Sequence, residues 1–154
     1  MSNGIIIRTQ DLARSFGSVH AVDGVTFEVD GGTVFGFLGP NGAGKTTTIR
    51  LLLGLLEPAG GPAAVLGADS VRGGDVIRQR CGALLENTGL YERLSAEENL
   101  DFYGRVWHLS AAERAARIRE LLSGLNLWDR RTETVANWSR GMKQKLAVAR
   151  ALLH

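Results

Sequence analysis

The 154-residue sequence predicts an α/β fold that combines a small N-terminal antiparallel β element, a partial parallel sheet and a helical subdomain. Three observations carry this prediction. Short β-branched runs fill the first thirty or so residues, an apolar run at 34–38 leads through a glycine-rich loop into a helical pattern, and the pattern stays helical from about Glu86 onward. An apolar fraction of 44% with 22% charged residues is typical of a globular domain.

The first half of the chain predicts strands separated by glycine turns. The expected strands are residues 5–8, 19–22, 25–29, 34–38, 63–66 and 82–85, and the expected helices are about 45–53 and 74–80. The Asp23-Gly24 pair is the predicted hairpin turn between the second and third strands. Residues 34–38 are continuously apolar, which favours a strand buried on both faces.

The second half predicts three helices, two of which begin at capping boxes. Ser95 with Glu98 opens a helix to about residue 109, and Ser110 with Glu113 opens a second one that ends near Gly124. Residues 126–137 are expected to be irregular, and the last helix starts near Ser139. We divide the chain into 1–85, 86–138 and 139–154, and interpret its end within an apolar helix as truncation.

Charge and cysteine content narrow the function classes. The net charge is +2 with scattered Lys and Arg, whereas nucleic-acid binders usually concentrate basic residues on one face, so we expect no nucleic-acid partner. The lone Cys81 is interpreted as a small buried hydrophobe in a reducing compartment. No apolar stretch approaches the ~20 residues that span a bilayer, so a transport function would need a separate partner to form the pore.

A phosphate-binding loop is the most specific motif. Residues 39–47 read GPNGAGKTT and fit G-x-x-x-x-G-K-[ST] between a predicted strand and a helix, which makes an accidental glycine-rich turn the weaker interpretation. Such a loop points backbone N–H groups at phosphates, while Lys45 reaches the β- and γ-phosphates and the Thr46 hydroxyl meets Mg²⁺. The predicted nucleotide contacts are Gly39, Asn41, Gly42, Ala43, Gly44, Lys45, Thr46 and Thr47. The sequence lacks Asn-Lys-x-Asp, the motif with which GTPases recognise the base, and this weakens a GTPase interpretation. Other phosphate-loop NTPase families remain possible.

A second motif points to a family. The segment WSRGMKQKL, which begins at Trp138, resembles the signature motif of ABC ATPases in the form common among exporter subunits. By itself it would indicate only a capped amphipathic helix, but it follows a phosphate loop. The resemblance implies a P-loop NTPase fold of the ABC ATPase type and a dimer with a second cassette. In that dimer Ser139, Arg140, Gly141 and Met142 bind the partner's ATP.

Two further sites follow from the same resemblance. Phe16 resembles the aromatic residue that stacks on adenine, with a core or turn aromatic as the alternative. Residues 85–95 resemble the loop that senses the γ-phosphate and meets the permease, and here Glu86 stands where the family has Gln. We assign Glu86 to catalysis with Lys45 and to Mg²⁺ with Thr46. Arg140, where the motif has Gly, either adds charge near the partner's phosphate or faces solvent.

The resemblance implies an ATP-binding subunit of an ABC transporter. It would bind and hydrolyse MgATP at the cytoplasmic face of the membrane and power a separate permease, with a drug-, antibiotic- or lipid-like substrate for export. The family's water-activating Asp-Glu strand and switch His would come after His154, so we expect this chain alone to be marginally folded and without turnover. His20, His108 and His154 receive no catalytic role, and His154 is expected to be an exposed helix residue. The alternatives are a non-transport ABC ATPase and a truncated, non-hydrolytic nucleotide-binding remnant.

Overall fold

The computed structural model describes residues 4–154 and divides them into two compact units. We call the part up to Arg80 the phosphate-loop unit and the part from Cys81 onward the helical unit. The described residues form a mixed α/β structure with four strands and five α-helices. None of these helices is long and apolar enough to cross a membrane.

The phosphate-loop unit contains a four-stranded sheet in the order β2-β1-β3-β4. Its elements are β1 (Ile5–Phe16), β2 (Val19–Asp30), α1 (Lys45–Leu52), β3 (Ala63–Val65), β4 (Ala68–Asp69) and α2 (Gly74–Arg80). All the pairings are antiparallel. Leu12, Val22, Leu51 and Ala63 form its buried core between the sheet and α1.

The predicted turn at Asp23-Gly24 is wrong. The hairpin turn lies at Gly17-Ser18, and β2 runs through residues 19–30 as one strand. Gly24 adopts a φ of +64°. It lies between the Leu12–Val25 and Arg14–Val22 pairs, where the β1–β2 register shifts. The glycine therefore accommodates a β-bulge rather than a reversal of the chain, since a positive φ serves either purpose.

The parallel part of the predicted sheet is not formed by the described residues. Residues 34–38 and 82–85 belong to no ladder, and Val34 and Leu38 are almost fully exposed rather than buried. A strand needs a neighbouring strand to hydrogen-bond its backbone, and apolar character alone does not supply that neighbour. Of this run, Phe35 and Phe37 pack on Phe27 of β2, with ring centroids 5.4 and 5.5 Å apart.

The helical unit matches its prediction closely. It consists of α3 (Ala96–Val106), α4 (Ala111–Gly124) and α5 (Arg140–Ala151). Both capping boxes are present, because Ser95 and Ser110 accept the backbone N–H of Glu98 and Glu113, whose carboxylates accept the serine N–H groups in return. Between α4 and α5 the chain makes two single 3₁₀ turns, Trp128–Arg130 and Val135–Asn137.

Candidate nucleotide site

The phosphate loop depends on Gly44 at the start of α1. Gly44 is the N-cap residue and has a φ of +81°, which only glycine adopts at little cost. A Cβ atom there would lie 2.1 Å from the carbonyl oxygen of Ala21 in β2. The glycine therefore lets the loop lie directly against the backbone of β2, and a larger residue would push the two apart.

Lys45 places its charge inside the curl of this loop. Its Nζ donates hydrogen bonds to the carbonyl oxygens of Gly39 (2.7 Å) and Pro40 (2.6 Å). The amides of Lys45, Thr46 and Thr47 open α1, where no carbonyl of a preceding helical turn is available to them. The positive side chain and the positive end of the helix thus coincide, which is the electrostatic arrangement of an anion site.

A cavity of about 310 Å³ lies against the loop. It is lined by Asn41, Gly42, Gly44, Lys45, Thr46 and Thr47 on one side and by Val19, His20 and Ala21 on the other. Six of the eight predicted loop contacts therefore share one cavity. Of the other two, Gly39 binds Lys45 through its carbonyl, and Ala43 donates its N–H to Pro40 at 3.2 Å.

The β2 wall of the cavity was missed by the sequence reasoning. The sequence assigns His20 no catalytic role, yet His20 lines the cavity and shares a 3.0 Å hydrogen bond with the hydroxyl of Ser15. Ser15 and His20 are opposite each other across the hairpin. The hairpin turn at Gly17-Ser18 sets the strand register that brings them together.

Phe16 lies at the end of β1, opposite Val19 of the cavity wall. Its side chain is 46% exposed, so it is not a core aromatic. The guanidinium carbon of Arg14 lies 4.8 Å from its ring centroid. Phe16 is not itself a lining residue of the cavity, but its strand partner Val19 is. Its half-exposed ring provides a flat apolar surface of the kind on which a nucleotide base stacks.

The signature segment forms the N-terminus of α5. Ser139 is the N-cap, and its hydroxyl accepts the N–H of Met142 at 3.3 Å. Arg140 and Gly141 are exposed, and a Cβ added to Gly141 would meet nothing within 4 Å. The Met142 side chain instead packs on the helical core, where its Sδ accepts a hydrogen bond from Arg130 at 3.4 Å. Ser139, Arg140 and Gly141 thus present an open helix end.

The model of one protein family, described as "ABC transporter", matches residues 22–154, which is most of the chain. This chain belongs to the ABC transporter family. It is 44% identical to the ABC transporter ATP-binding protein NatA of Bacillus subtilis, over 88% of the chain and 56% of that protein. It is 40% identical to the bacitracin transport ATP-binding protein BcrA of Bacillus licheniformis, over 97% of the chain and 48% of that protein.

Solved structures of the family have the same fold. A structure described as an ATP-binding subunit of an ABC transporter superimposes with a TM-score of 0.83 at 34% identity, over 96% of this chain and 62% of that chain. The cbiO1 protein of Clostridium perfringens gives 0.85 at 22% identity, over 97% and 62%, and shows the fold alone. The chain thus spans about half the length of the curated relatives that it matches.

The segment that follows Glu86 is hydrogen-bonded to the rest of the helical unit. Glu86 itself is exposed. The buried Asn99 of α3 accepts the N–H of Tyr91 at 2.8 Å and donates to the Tyr91 carbonyl at 3.0 Å. The Tyr103 hydroxyl donates to the Gly89 carbonyl, and Arg150 of α5 lies close to Gly89. The predicted sensing loop is therefore anchored by α3 and α5.

The predicted Mg²⁺ ligands are Thr46 and Glu86. The described residues contain no cluster of three or more His, Cys, Asp or Glu side chains that could hold a metal ion. Thr46, which lines the cavity, belongs to the phosphate-loop unit and Glu86 to the helical unit.

The expectation of an exposed His154 on a helix is wrong. His154 follows the end of α5, is half-buried and stacks on Trp107, with ring centroids 4.1 Å apart.

Proposed function

We propose that this chain binds MgATP as part of the ATP-binding subunit of an ABC transporter. The observation that carries the proposal is the cavity at the N-terminus of α1, where the loop amides, Lys45 and Thr46 converge. The family membership supports ATP as the nucleotide, since the relatives are described as ATP-binding proteins.

The phosphate contacts follow from the loop geometry. Lys45 holds two carbonyl oxygens of its own loop, and phosphate oxygens carrying full charge would compete for the same Nζ protons. The loop from Gly39 to Thr47 would surround the β- and γ-phosphates with N–H donors. We assign these contacts to Gly39, Asn41, Gly42, Ala43, Gly44, Lys45, Thr46 and Thr47.

The Thr46 hydroxyl is suited to Mg²⁺. This ion prefers oxygen ligands, keeps several waters and is commonly held by one or two protein groups together with nucleotide phosphates. A single hydroxyl beside the phosphate cavity fits that donor set, and no all-protein cage is required. When bound, Mg²⁺ would neutralise charge on the β- and γ-phosphates. We assign Glu86 to the same ion and to catalysis, in place of the glutamine of related cassettes.

The exposed start of α5 is the proposed contact with a second cassette. Ser139, Arg140 and Gly141 offer a capped helix N-terminus that is open to solvent, and such a terminus favours an anion. We propose that they reach the γ-phosphate of ATP held by the partner cassette, with Arg140 adding a positive charge. Met142 contributes its backbone N–H to the cap, while its side chain anchors the turn to the core.

We further propose that the complete protein hydrolyses ATP and powers a separate membrane permease. Such a subunit would sit at the cytoplasmic face of the membrane, held there by the permease. Relatives are described as bacitracin transport and daunorubicin resistance ATP-binding proteins. We propose export of a drug-, antibiotic- or lipid-like substrate, and these descriptions support the drug- and antibiotic-like classes.

Titration calorimetry with MgATP tests the nucleotide site. We expect Lys45→Ala to weaken binding by about ten- to a hundredfold, since hydrogen bonds to a charged group contribute ~1.5–3 kcal/mol. Lys145→Ala is the matched control, because Lys145 lies on α5 and donates to the Leu125 carbonyl, remote in sequence from the loop. Equal affinities for the wild-type and Lys45→Ala chains, with unchanged circular dichroism, would contradict the proposed site.

A further inference from the structure

We infer that Arg14 is a positioning residue for base recognition: it holds the Phe16 ring by one face and leaves the other face for the nucleotide base. This inference rests on the proposed nucleotide site. It adds a residue that neither the loop motif nor the signature motif contains.

Arg14 is itself firmly held. Its Nη1 donates a 2.8 Å hydrogen bond to the carbonyl oxygen of Glu57, in the segment that follows α1. The same segment is fixed to β1, since Ala13 donates to Gly60 at 2.8 Å and Ala59 donates to Ala13 at 2.7 Å. The guanidinium therefore has an anchor besides Phe16, because the carbonyl that it binds belongs to a segment that is itself fixed to β1.

Phe16, by contrast, has little other support. It ends β1 immediately before the Gly17-Ser18 turn, and nearly half of its side chain is exposed. The guanidinium of Arg14 lies over its ring at 4.8 Å from the centroid, which is within the range of a cation–π contact. Because one face is covered by this cation, the stacking surface for a ligand is the opposite face. An unsupported ring would lose rotamer freedom on stacking, and prior fixation by Arg14 reduces that entropy cost.

One polar group of Arg14 is buried at a cost in free energy. Its Nε is buried and has no hydrogen-bond partner among residues 4–154. A buried N–H without an acceptor is unfavourable, so the guanidinium is held by the Glu57 carbonyl and the ring rather than by full hydrogen bonding. An extended side chain in water would have avoided this loss.

A charge-based role for Arg14 makes a different prediction. If its positive charge attracted the phosphates directly, its removal would weaken every polyphosphate ligand. If it acts through Phe16, its removal would weaken only ligands that carry a base. Tripolyphosphate, which has phosphates and no base, separates the two roles.

The experiment measures dissociation constants of the 154-residue chain for MgATP and for magnesium tripolyphosphate by calorimetry. We expect Arg14→Met to weaken MgATP by about two- to fivefold, the size of an exposed cation–π contact, and to leave tripolyphosphate binding unchanged. Arg14→Lys keeps the cation and should retain part of the affinity. Phe16→Ala should weaken MgATP by about fivefold or more, and Arg14→Met added to it should have no further effect.

Three results would overturn the inference. Equal weakening of both ligands by Arg14→Met would show a charge or folding effect, and unchanged MgATP affinity would show no role. Additive losses in the Arg14→Met, Phe16→Ala double variant would show that Arg14 does not act through the ring. A wild-type chain that binds neither ligand would overturn the proposed nucleotide site itself, whereas the first three results leave that site standing.

Discussion

The two units differ in how completely they bury their apolar side chains. The helical unit encloses one cluster, consisting of Ala96, Leu100, Ile118, Leu122, Leu127, Val135, Trp138, Leu146, Ala149 and Leu153. The largest buried cluster of the phosphate-loop unit has four residues, with Val29, Leu53, Val65 and Ile77 buried outside it. This unit leaves Val34 and Leu38 almost fully exposed. It also contains an apolar cavity of about 240 Å³ beneath Phe35 and Phe37.

This difference follows from how far apart in sequence the hydrogen-bond partners of the backbone lie in each unit. A helix closes its hydrogen bonds within one segment, and a capping box closes its first turn as well. A strand depends on a neighbour that is distant in sequence, and residues 34–38 have none among the described residues. Local interactions therefore complete the helical unit, whereas the phosphate-loop unit keeps apolar surface in contact with water.

The largest effect we predict is the loss of a buried leucine in the helical unit. Leu146→Ala on α5 should lower the free energy of unfolding by about 2–5 kcal/mol, because Leu146 is fully buried in the cluster and its truncation leaves a cavity. Urea unfolding followed by tryptophan fluorescence is the measurement. It reports on this unit, since Trp107, Trp128 and Trp138 all lie within it.

Two exposed leucines are the matched controls for that comparison. Leu152 in the helical unit is 52% exposed and Leu38 in the phosphate-loop unit is 92% exposed. Leu152→Ala should leave the fluorescence transition nearly unchanged, and Leu38→Ala should leave the transition followed by circular dichroism nearly unchanged. A large loss from Leu38→Ala would show that residues 34–38 are buried in solution and would remove the contrast between the units.

A smaller effect is predicted for the buried asparagine that anchors the sensing loop. Asn99→Ala leaves the N–H and the carbonyl of Tyr91 without their side-chain partner and should cost about 1–3 kcal/mol. Hydrogen exchange of the Tyr91 amide should accelerate together with the fall in the urea midpoint. Asn137→Ala, at an exposed asparagine of the same unit, is the control. Unchanged exchange at Tyr91 would contradict the anchoring role.

The sequence identified elements whose signals are local. The capping boxes at Ser95 and Ser110 placed the starts of α3 and α4 correctly, and α2 was predicted at its observed bounds. The strand predicted at 34–38 failed because apolar character does not specify a pairing partner. The Asp23-Gly24 turn failed because a glycine at positive φ suits a bulge as well as a hairpin.

The same distinction applies to the candidate site. The phosphate loop is contiguous in sequence, so a motif finds it, and the structure gathers most of its residues around one cavity. His20 reaches that cavity only through the β1–β2 register, and Arg14 meets the Glu57 carbonyl, 43 positions away, only in the folded chain. Its contact with Phe16, by contrast, is the local i, i+2 spacing of one strand face. Residues brought in by strand pairing carry no spacing signal that a single sequence could reveal.

The smallest effect we predict is an acid sensitivity of the helical unit. The carboxylates of Glu98 and Glu113 accept the backbone N–H groups of Ser95 and Ser110, and the hydrogen bonds with these serines lower the pKa of both groups below the usual 4.5. In the unfolded chain these groups regain the ordinary pKa. Their contribution to stability is therefore complete above about pH 4.5 and is lost as the pH falls through the lower pKa values of the folded state.

The matched variant for this test is the double substitution Glu98→Gln, Glu113→Gln. Glutamine can still serve as the third residue of a capping box, but it does not titrate. At neutral pH the variant should unfold in urea at nearly the wild-type midpoint, and between pH 4.5 and lower values its midpoint should fall less steeply than that of the wild type. Some slope should remain, because Asp101, whose pKa is lowered by its hydrogen bond with Arg114, still titrates. If the urea midpoints of the wild type and the variant fall equally steeply with pH, the capping carboxylates do not contribute to the acid response. The capping boxes would then stabilise the first turns of α3 and α4 less than their hydrogen-bond geometry indicates.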